Sequence, residues 1–362
     1  MKALILAGGS GTRLRPLTHT GAKQLVPVAN RPILFYVVDN LVDAGVVDIG
    51  VIISPETGKE VRDALGDGSK FGARFTFIEQ AKPLGLAHAV VTAHEFLQDS
   101  PFVMYLGDNL IGTMIRDAVS RFEQHSELAA SVMLKPVDNP SAFGVAQVDA
   151  NGKVVGLEEK PQHPKSNLAL VGIYLFRPVV HDAIARIKPS KRGELEITDA
   201  ISKLIDMGGQ VNFERVESWW LDTGKKDDIL LANDTVLDDW LKTDVQADVD
   251  EHSKLSGRIR IEPGAKVERS TLRGPIIIGK NAVIRDSHIG PFTSLGDRVR
   301  VESSTVEHSV VLCDSVIDRI GRLEDSLIGR RVVVRPGTQR HGSLSLMVGD
   351  DCVVEIMSPR QS

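Results

Sequence analysis

Two cations, Arg13 and Lys23, stand behind a run of glycines at Gly8, Gly9 and Gly11. Glycines there let bare backbone N–H groups approach an anion closely, and positive side chains behind them would complete a phosphate cradle. Asp108 sits in L-G-D-N and Asp222 in W-W-L-D-T-G, each after an apolar, strand-like run. Two carboxylates at strand ends could share one magnesium ion against triphosphate oxygens. Lys160 lies in L-E-E-K-P, beside Glu159 and before a proline, so it leaves regular structure and can reach into a cleft. Arg192, in K-P-S-K-R-G-E-L-E-I-T-D, could grip a phosphate bidentately, where a lysine acts as a point charge. The chemistry these residues share is the handling of polyphosphate. Each also has a plain structural reading: a surface turn with two solvated cations, a turn or N-cap aspartate at 108, and a surface charge cluster at 159–160.

Other chemistries find less support. Gly11-Thr12-Arg13 stands where a Walker loop needs Gly-Lys-Ser/Thr, and Leu14 stands where a dinucleotide fingerprint needs its third glycine. The ten histidines fall in no recognisable catalytic motif, and the sequence has neither C-x-x-C nor H-E-x-x-H.

These residues need elements to hold them. The apolar run 3–7 reads as a buried parallel strand, followed by a helix over 33–44 that opens after Pro32 and ends at Gly45. Strands are expected at 48–54, 74–79 and 102–106, with helices at 60–65 and 85–96. Strands alternating with helices imply a doubly wound, mostly parallel α/β sheet, whose ligands bind beyond the carboxyl ends of strands. Gly9, Gln80 and Asp108 all fall at such ends. Runs at 130–135, 144–148, 154–158, 171–176 and 211–216 break the rhythm and read as an insertion on the far side of the cleft. A helix over 227–241 closes a domain of residues 1–241, and the polar, acidic stretch 242–255 reads as a linker.

The remainder has a different texture. Branched aliphatics recur at Ile278, Ile284, Ile289, Leu295, Val301, Val306, Ile328 and Val334, several of them followed by glycine. Spacings of five and six suit a hexapeptide solenoid with one inward aliphatic per strand, over residues 256–357. An irregular β-sandwich is the other reading of that pattern.

Composition narrows the class. With 362 residues, the chain has room for two or three domains and an ample core. A net charge of −5 gives no basic footprint for nucleic acid. The two cysteines, Cys313 and Cys352, suit a reducing, cytoplasmic setting rather than a disulfide framework. No run reaches membrane-spanning length.

The stretch G-G-S-G-T-R-L-R-P-L-T, with Lys23 after it, resembles the signature of sugar-nucleotide pyrophosphorylases, a nucleotidyltransferase family. A-K-Q-L-V-P-V, L-G-D-N, P-K-S-N with V-G-I-Y, and R-G-E-L-E-I-T-D bring the match nearest to glucose-1-phosphate thymidylyltransferases, over roughly residues 1–240. The resemblance implies a Rossmann-like catalytic domain using Mg2+, dTTP (or UTP) and glucose-1-phosphate. It makes Arg13, Lys23, Asp108 and Lys160 catalytic. It assigns Leu6, Gly8, Gly9, Gly11, Thr12, Arg13, Gln80, Gly85 and Asp108 to the nucleotide. Asn109, Gly144, Glu159, Lys160, Val171 and Arg192 go to the sugar phosphate, and Asp108 and Asp222 to the metal. Leu84 departs from the family's short form, which has an acidic residue there and lacks the extension from 242. The long branch, found beside deoxysugar and antibiotic pathways, carries a left-handed parallel β-helix. Its implied role is assembly into a homo-oligomer, with no part in the chemistry. An acyltransferase tail using His288, His308 or His341 and a non-catalytic regulatory subunit are the rival readings.

Overall fold

The structure, a computed structural model, describes residues 1–336 apart from Ser10, Thr20 and Asn151. The expected end of the solenoid at 357, with His341 and Cys352, lies outside the described residues. Two compact units are present. One comprises Met1–Ser10, Ala22–Val26 and Pro32–Asp222, and the other comprises Gly11–Gly21, Pro27–Arg31 and the chain from Thr223 onward.

In the first unit, nine strands among the described residues form one sheet. Its order runs Val154–Glu159, Gly144–Val148, Leu168–Phe176, Phe102–Leu106, Lys2–Leu6, Asp48–Ile53 and Arg74–Glu79. Leu128–Pro136 also pairs with Leu168–Phe176 and carries Gln210–Arg215 on its other side. The four strands from Phe102–Leu106 to Arg74–Glu79 are mutually parallel, so the residues that follow them share one edge. The expected insertion is the part of the sheet where antiparallel pairs appear, beginning with Leu168–Phe176 against Phe102–Leu106.

Alternation places successive side chains of a strand on opposite faces, and both faces of this sheet are covered. Ala3, Ile5, Val51 and Tyr105 pack with Leu34, Val37, Val38 and Leu41 of helix Ile33–Asp43. Leu4, Ile52 and Met104 pack with Ala87 and Val90 on one helix and Ala200, Ile201 and Leu204 on helix Ile197–Asp206. Each fully buried aliphatic contributes about 1.5–3 kcal/mol, so this three-layer core is ample to hold the strand ends rigid. The helix expected over 85–96 is interrupted, giving Leu86–Thr92 and His94–Leu97. Thr92 Oγ1 donates to His88 O at 2.9 Å, a back-bond of the kind that bends helices.

The second unit contains helix Lys226–Asp239 and a left-handed parallel β-helix whose strands form three sheets. Ile259↔Ile276↔Thr293 and Val283↔Arg300↔Val316 show a coil of 17 residues, once shortened to 16. The aliphatics at 278, 284, 289, 295, 301 and 306 are fully buried, and Ile328 and Val334 pack against the same core. Two further devices repeat with the coil. Ser253, Ser270 and Ser287 each accept, through Oγ, the amide of the serine one coil on, at 3.0–3.1 Å. Left-handed backbone recurs at the corners, as at Asn281, Arg298, Asp314 and Arg331.

The stretch 242–255, expected as a linker, holds strands Asp244–Val245 and Asp248–Val249, which pair with Ile259–Ile261 and Lys266–Glu268. The first coil therefore starts there. As the end of a stack it is polar outward, which is what made it read as a linker.

Candidate active site

Lys23 is buried in a single turn, Lys23–Leu25, and its Nζ is hydrogen-bonded to Asp108 Oδ2 and lies 3.8 Å from Asp222 Oδ1. Two separate elements bring the carboxylates together. Asp108 follows the central strand Phe102–Leu106. Asp222 ends the short strand Trp220–Asp222, which pairs antiparallel with Asn109–Ile111 in the register Asp222↔Asn109. Asn109 is buried, with Nδ2 donating to Asp108 Oδ1 at 3.2 Å and Oδ1 accepting from Trp220 Nε1 at 2.8 Å. The result is a cation held between two acids at a strand end. Among the described residues no cluster of three His, Cys, Asp or Glu side chains could enclose a metal. Two hard oxygen donors suit Mg2+, which keeps waters and takes its other ligands from phosphates rather than from a protein cage. Gly8 and Gly9 follow Leu6, whose carbonyl accepts the amide of Gly107 at 3.0 Å, so the glycine turn and the Asp108 turn leave adjacent strands.

Gln80 follows the edge strand Arg74–Glu79. Its side-chain amide lies 2.8 Å from His88 Nδ1 and 3.4 Å from Gly85 O, so Gln80, Gly85 and His88 form one group. His88, at the first turn of the following helix, was not singled out in the sequence.

A third group lies on the antiparallel side. Gly144 is packed so closely that a β-carbon would stand 2.9 Å from Thr198 Cγ2 and 3.1 Å from Glu159 Oε2. Burial, and then the charge of the buried Glu196, hold the Glu159 carboxyl above its ordinary range, against the pull of Lys160 and Arg192. Arg192 is engaged by carboxylates: Glu194 at 3.1 Å, Glu159 at 3.4 Å and Glu196 at 3.5 Å. Lys160 is exposed, in left-handed backbone at φ +43°, and Val171 is buried in Leu168–Phe176. Glu196, Thr198 and Trp220 are additions the sequence did not single out. Glu196 and Thr198 sit inside R-G-E-L-E-I-T-D and Trp220 inside W-W-L-D-T-G, so the motifs held the signal but not its assignment.

Arg13 and Thr12 belong to the second unit, in the single turn Thr12–Leu14 after Gly11 at φ +61°. Gly224 backs the Arg13 guanidinium so closely that a β-carbon there would be 2.9 Å from Nη2. In the same unit, two histidines of the acyltransferase reading, His288 and His308, are tied to carboxylates. His308 is hydrogen-bonded to both Asp234 and Asp325, and His288 Nε2 lies 3.5 Å from Glu307.

A doubly wound sheet with a glycine turn, and a buried lysine between one acid at a strand end of that sheet and another on a short neighbouring strand pair, is the build of an enzyme that transfers nucleotides. The family model for nucleotidyl transferases matches residues 2–239, and the chain belongs to that family. The particular relatives are sharper. The chain is 52% identical over 358 residues to glucose-1-phosphate thymidylyltransferase of Streptomyces antibioticus, covering 99% of this chain and 100% of that one. It is 48% identical over 360 residues to the enzyme of the same name from Streptomyces griseus, with 99% and 100% covered. A solved structure assigned as a glucose-1-phosphate thymidylyltransferase of Bacillus anthracis, in complex with sucrose, superposes with a TM-score of 0.61 at 39% identity. It covers 64% of this chain and 94% of that one.

Proposed function

We propose that this chain is a glucose-1-phosphate thymidylyltransferase that converts dTTP and glucose-1-phosphate into dTDP-glucose and pyrophosphate. The observation that carries this reading is the pairing of Asp108 and Asp222 around Lys23 at a strand end, in a chain that matches thymidylyltransferases along its length. An oxygen of the sugar phosphate attacks the α-phosphorus, the bond from that phosphorus to the bridging oxygen breaks, and pyrophosphate leaves with the electron pair. The nucleophile is already an anion, so no general base is required. What the protein must supply is alignment of two polyanions and relief of their repulsion.

Nucleotidyltransferases of this kind are generally Mg2+-dependent. Asp108 and Asp222 would hold the ion, which when bound neutralises charge on the triphosphate. Lys23 would supply fixed positive charge to the triphosphate beside the Gly8–Gly9 backbone, and the resemblance gives Arg13 and the 11–12 turn the same task. Gln80 and Gly85, backed by His88, offer amide and backbone groups to the edge of a pyrimidine. Glu159 and Asn109 accept and donate to sugar hydroxyls, with Gly144 and Val171 shaping the floor. Lys160 and Arg192 meet the sugar phosphate, Arg192 turning from its carboxylates to do so.

A pyrophosphate-release panel crossing dTTP, UTP, ATP, CTP and GTP with the 1-phosphates of glucose, galactose and N-acetylglucosamine tests this. The highest kcat/KM is expected for dTTP with glucose-1-phosphate, with UTP second. A panel won by ATP or GTP overturns it.

The reading includes self-association in the cytoplasm. Val245 and Leu255, within the otherwise polar first coil, are exposed, as an unstacked end would leave them. A monomer by light scattering would end that part. No helix among the described residues is long and apolar enough to cross a membrane.

A further inference from the structure

The tail was expected to take no part in chemistry, yet two N-terminal pieces, 11–21 and 27–31, belong to its unit. Residues 11–21 cluster with the β-helix unit, not with the sheet. Within that loop Leu14 is buried, and Thr18 Oγ1 donates to Gly11 O at 2.7 Å, so the loop is closed on itself. Leu17 leaves the loop and packs against the buried cluster of Leu230, on helix Lys226–Asp239, with Val310 and Leu312 of the coils, and Leu327 packs against the same cluster. This small apolar cluster is separate from the core that runs down the inside of the β-helix.

The second anchor is polar. Asn233, on the same helix, has no exposed surface. Its Oδ1 accepts from Ala29 N at 3.1 Å and from Ser294 Oγ at 2.5 Å, and its Nδ2 donates to Phe292 O at 3.0 Å. Asn30 Nδ2 donates to Leu295 O at 2.6 Å. Ala29 and Asn30 are both in left-handed backbone, φ +47° and +59°, which asparagine adopts readily but which at Ala29 needs outside contacts to persist. Residues 11–21 and 29–30 are therefore both fastened within the β-helix unit.

We propose that the β-helix is a positioning element for the triphosphate loop. The cluster around Leu17 clamps residues 11–21 and thereby fixes where Arg13 presents its guanidinium, while the Asn233 hub fixes 29–30. The proposal rests on the role given above to Arg13 at the triphosphate. Leu17, Leu312 and Leu327 are positioning residues, since none of them need touch substrate. Displacement of a charged group by about 1 Å is enough to lower a rate by up to ~10²-fold, so loosening this clamp should be visible in turnover.

The test is Leu17→Ala in the full chain, with Leu327→Ala as the matching change from the tail side and Leu17→Met as the volume-conserving rescue. Both alanine variants should lower kcat by on the order of 10-fold while leaving KM for glucose-1-phosphate unchanged. Amide exchange should accelerate in 11–21 and stay slow in strand Lys2–Leu6, and Leu17→Met should restore both readouts. A fall in Tm with kcat intact would make the cluster merely structural and overturn the proposal, as would unchanged exchange in 11–21 in either alanine variant. If the wild type releases no pyrophosphate with any pair in the panel, the proposed activity fails. Exchange in 11–21 then decides the clamp alone: faster exchange in both alanine variants upholds it, and no change removes it.

Discussion

Strand ends of the sheet unit carry different residues, whereas successive coils of the β-helix unit repeat the same one. Gly8, Gln80 and Asp108 follow three parallel strands and have no substitutes for one another. Ser253, Ser270 and Ser287 do one job three times, each accepting the next coil's serine amide. The difference teaches where a single substitution should register. In the sheet it would remove, on the proposed function, a group with no substitute. In the coils it removes one rung of several, and the loss should appear as stability. The 11–21 loop crosses that division, because it bears Arg13 yet belongs with the coils.

The largest expected effect lies in the sheet. Asp108→Asn and Asp222→Asn should each lower turnover by on the order of 10²-fold or more at saturating magnesium, with the melting transition still cooperative. Pyrophosphate release alongside a thermal melt checks this. Normal turnover would reduce both acids to partners of Lys23. Gly224→Ala comes next and probes the loop. Its β-carbon would stand 2.9 Å from Arg13 Nη2, the far end of a flexible side chain, so the arginine must move while the fold need not. Turnover should fall by roughly 10-fold, less than the ~10²-fold expected for Arg13→Ala, with Tm unchanged. An effect confined to KM for the triphosphate would mean that Arg13 binds ground state and transition state alike.

The smallest effect belongs to the second unit. Burial works against a charged His308, but hydrogen bonds with Asp325 and Asp234 outweigh it and raise its pKa above 6.5. Burial also pushes Asp234 up, against the pull of His308, so both partners are charged only above that raised carboxylate range. Above it, His308 sets the slope. Its contribution is complete below pH 6.5 and is lost as pH rises through the raised value. Tm should therefore decline from pH 6.5 to 9, and His308→Asn, which suits the left-handed backbone at φ +42°, should flatten that decline. An equal slope in the variant would show that other groups cause it.

Much of this was legible in the residues. The apolar run ending at Leu6 and the alternation of strands and helices marked the parallel sheet, because burial on both faces demands continuous hydrophobic strands. Ile278, Ile284, Ile289, Leu295, Val301 and Val306 marked the coils, because one inward side chain per strand must be aliphatic in every coil. Asp108 and Asp222 stood out through their motifs, but their meeting at Lys23 depends on the pairing of two three-residue strands, too short to carry a periodic signal. Leu17 could not be distinguished from any loop leucine, since its partners lie some 200 to 300 positions away in sequence. Asn233 carries no local sign that its side of the helix is covered. Asp244–Val245 and Asp248–Val249 were hidden by being the polar end of a stack.

The left-handed corners have a practical consequence for heat tolerance. Every coil must turn through backbone that L-residues adopt at a penalty of roughly 1–2 kcal/mol, while glycine and asparagine enter it readily. The protein already places Asn281, Asp286 and Asp314 at such corners, but Ser303 occupies another at φ +46° with its side chain exposed. The coils are thus held below their attainable melting temperature by surface positions that touch neither the core nor the loop. Replacing Ser303 by asparagine or glycine offers a route to a hardier biocatalyst, one corner at a time.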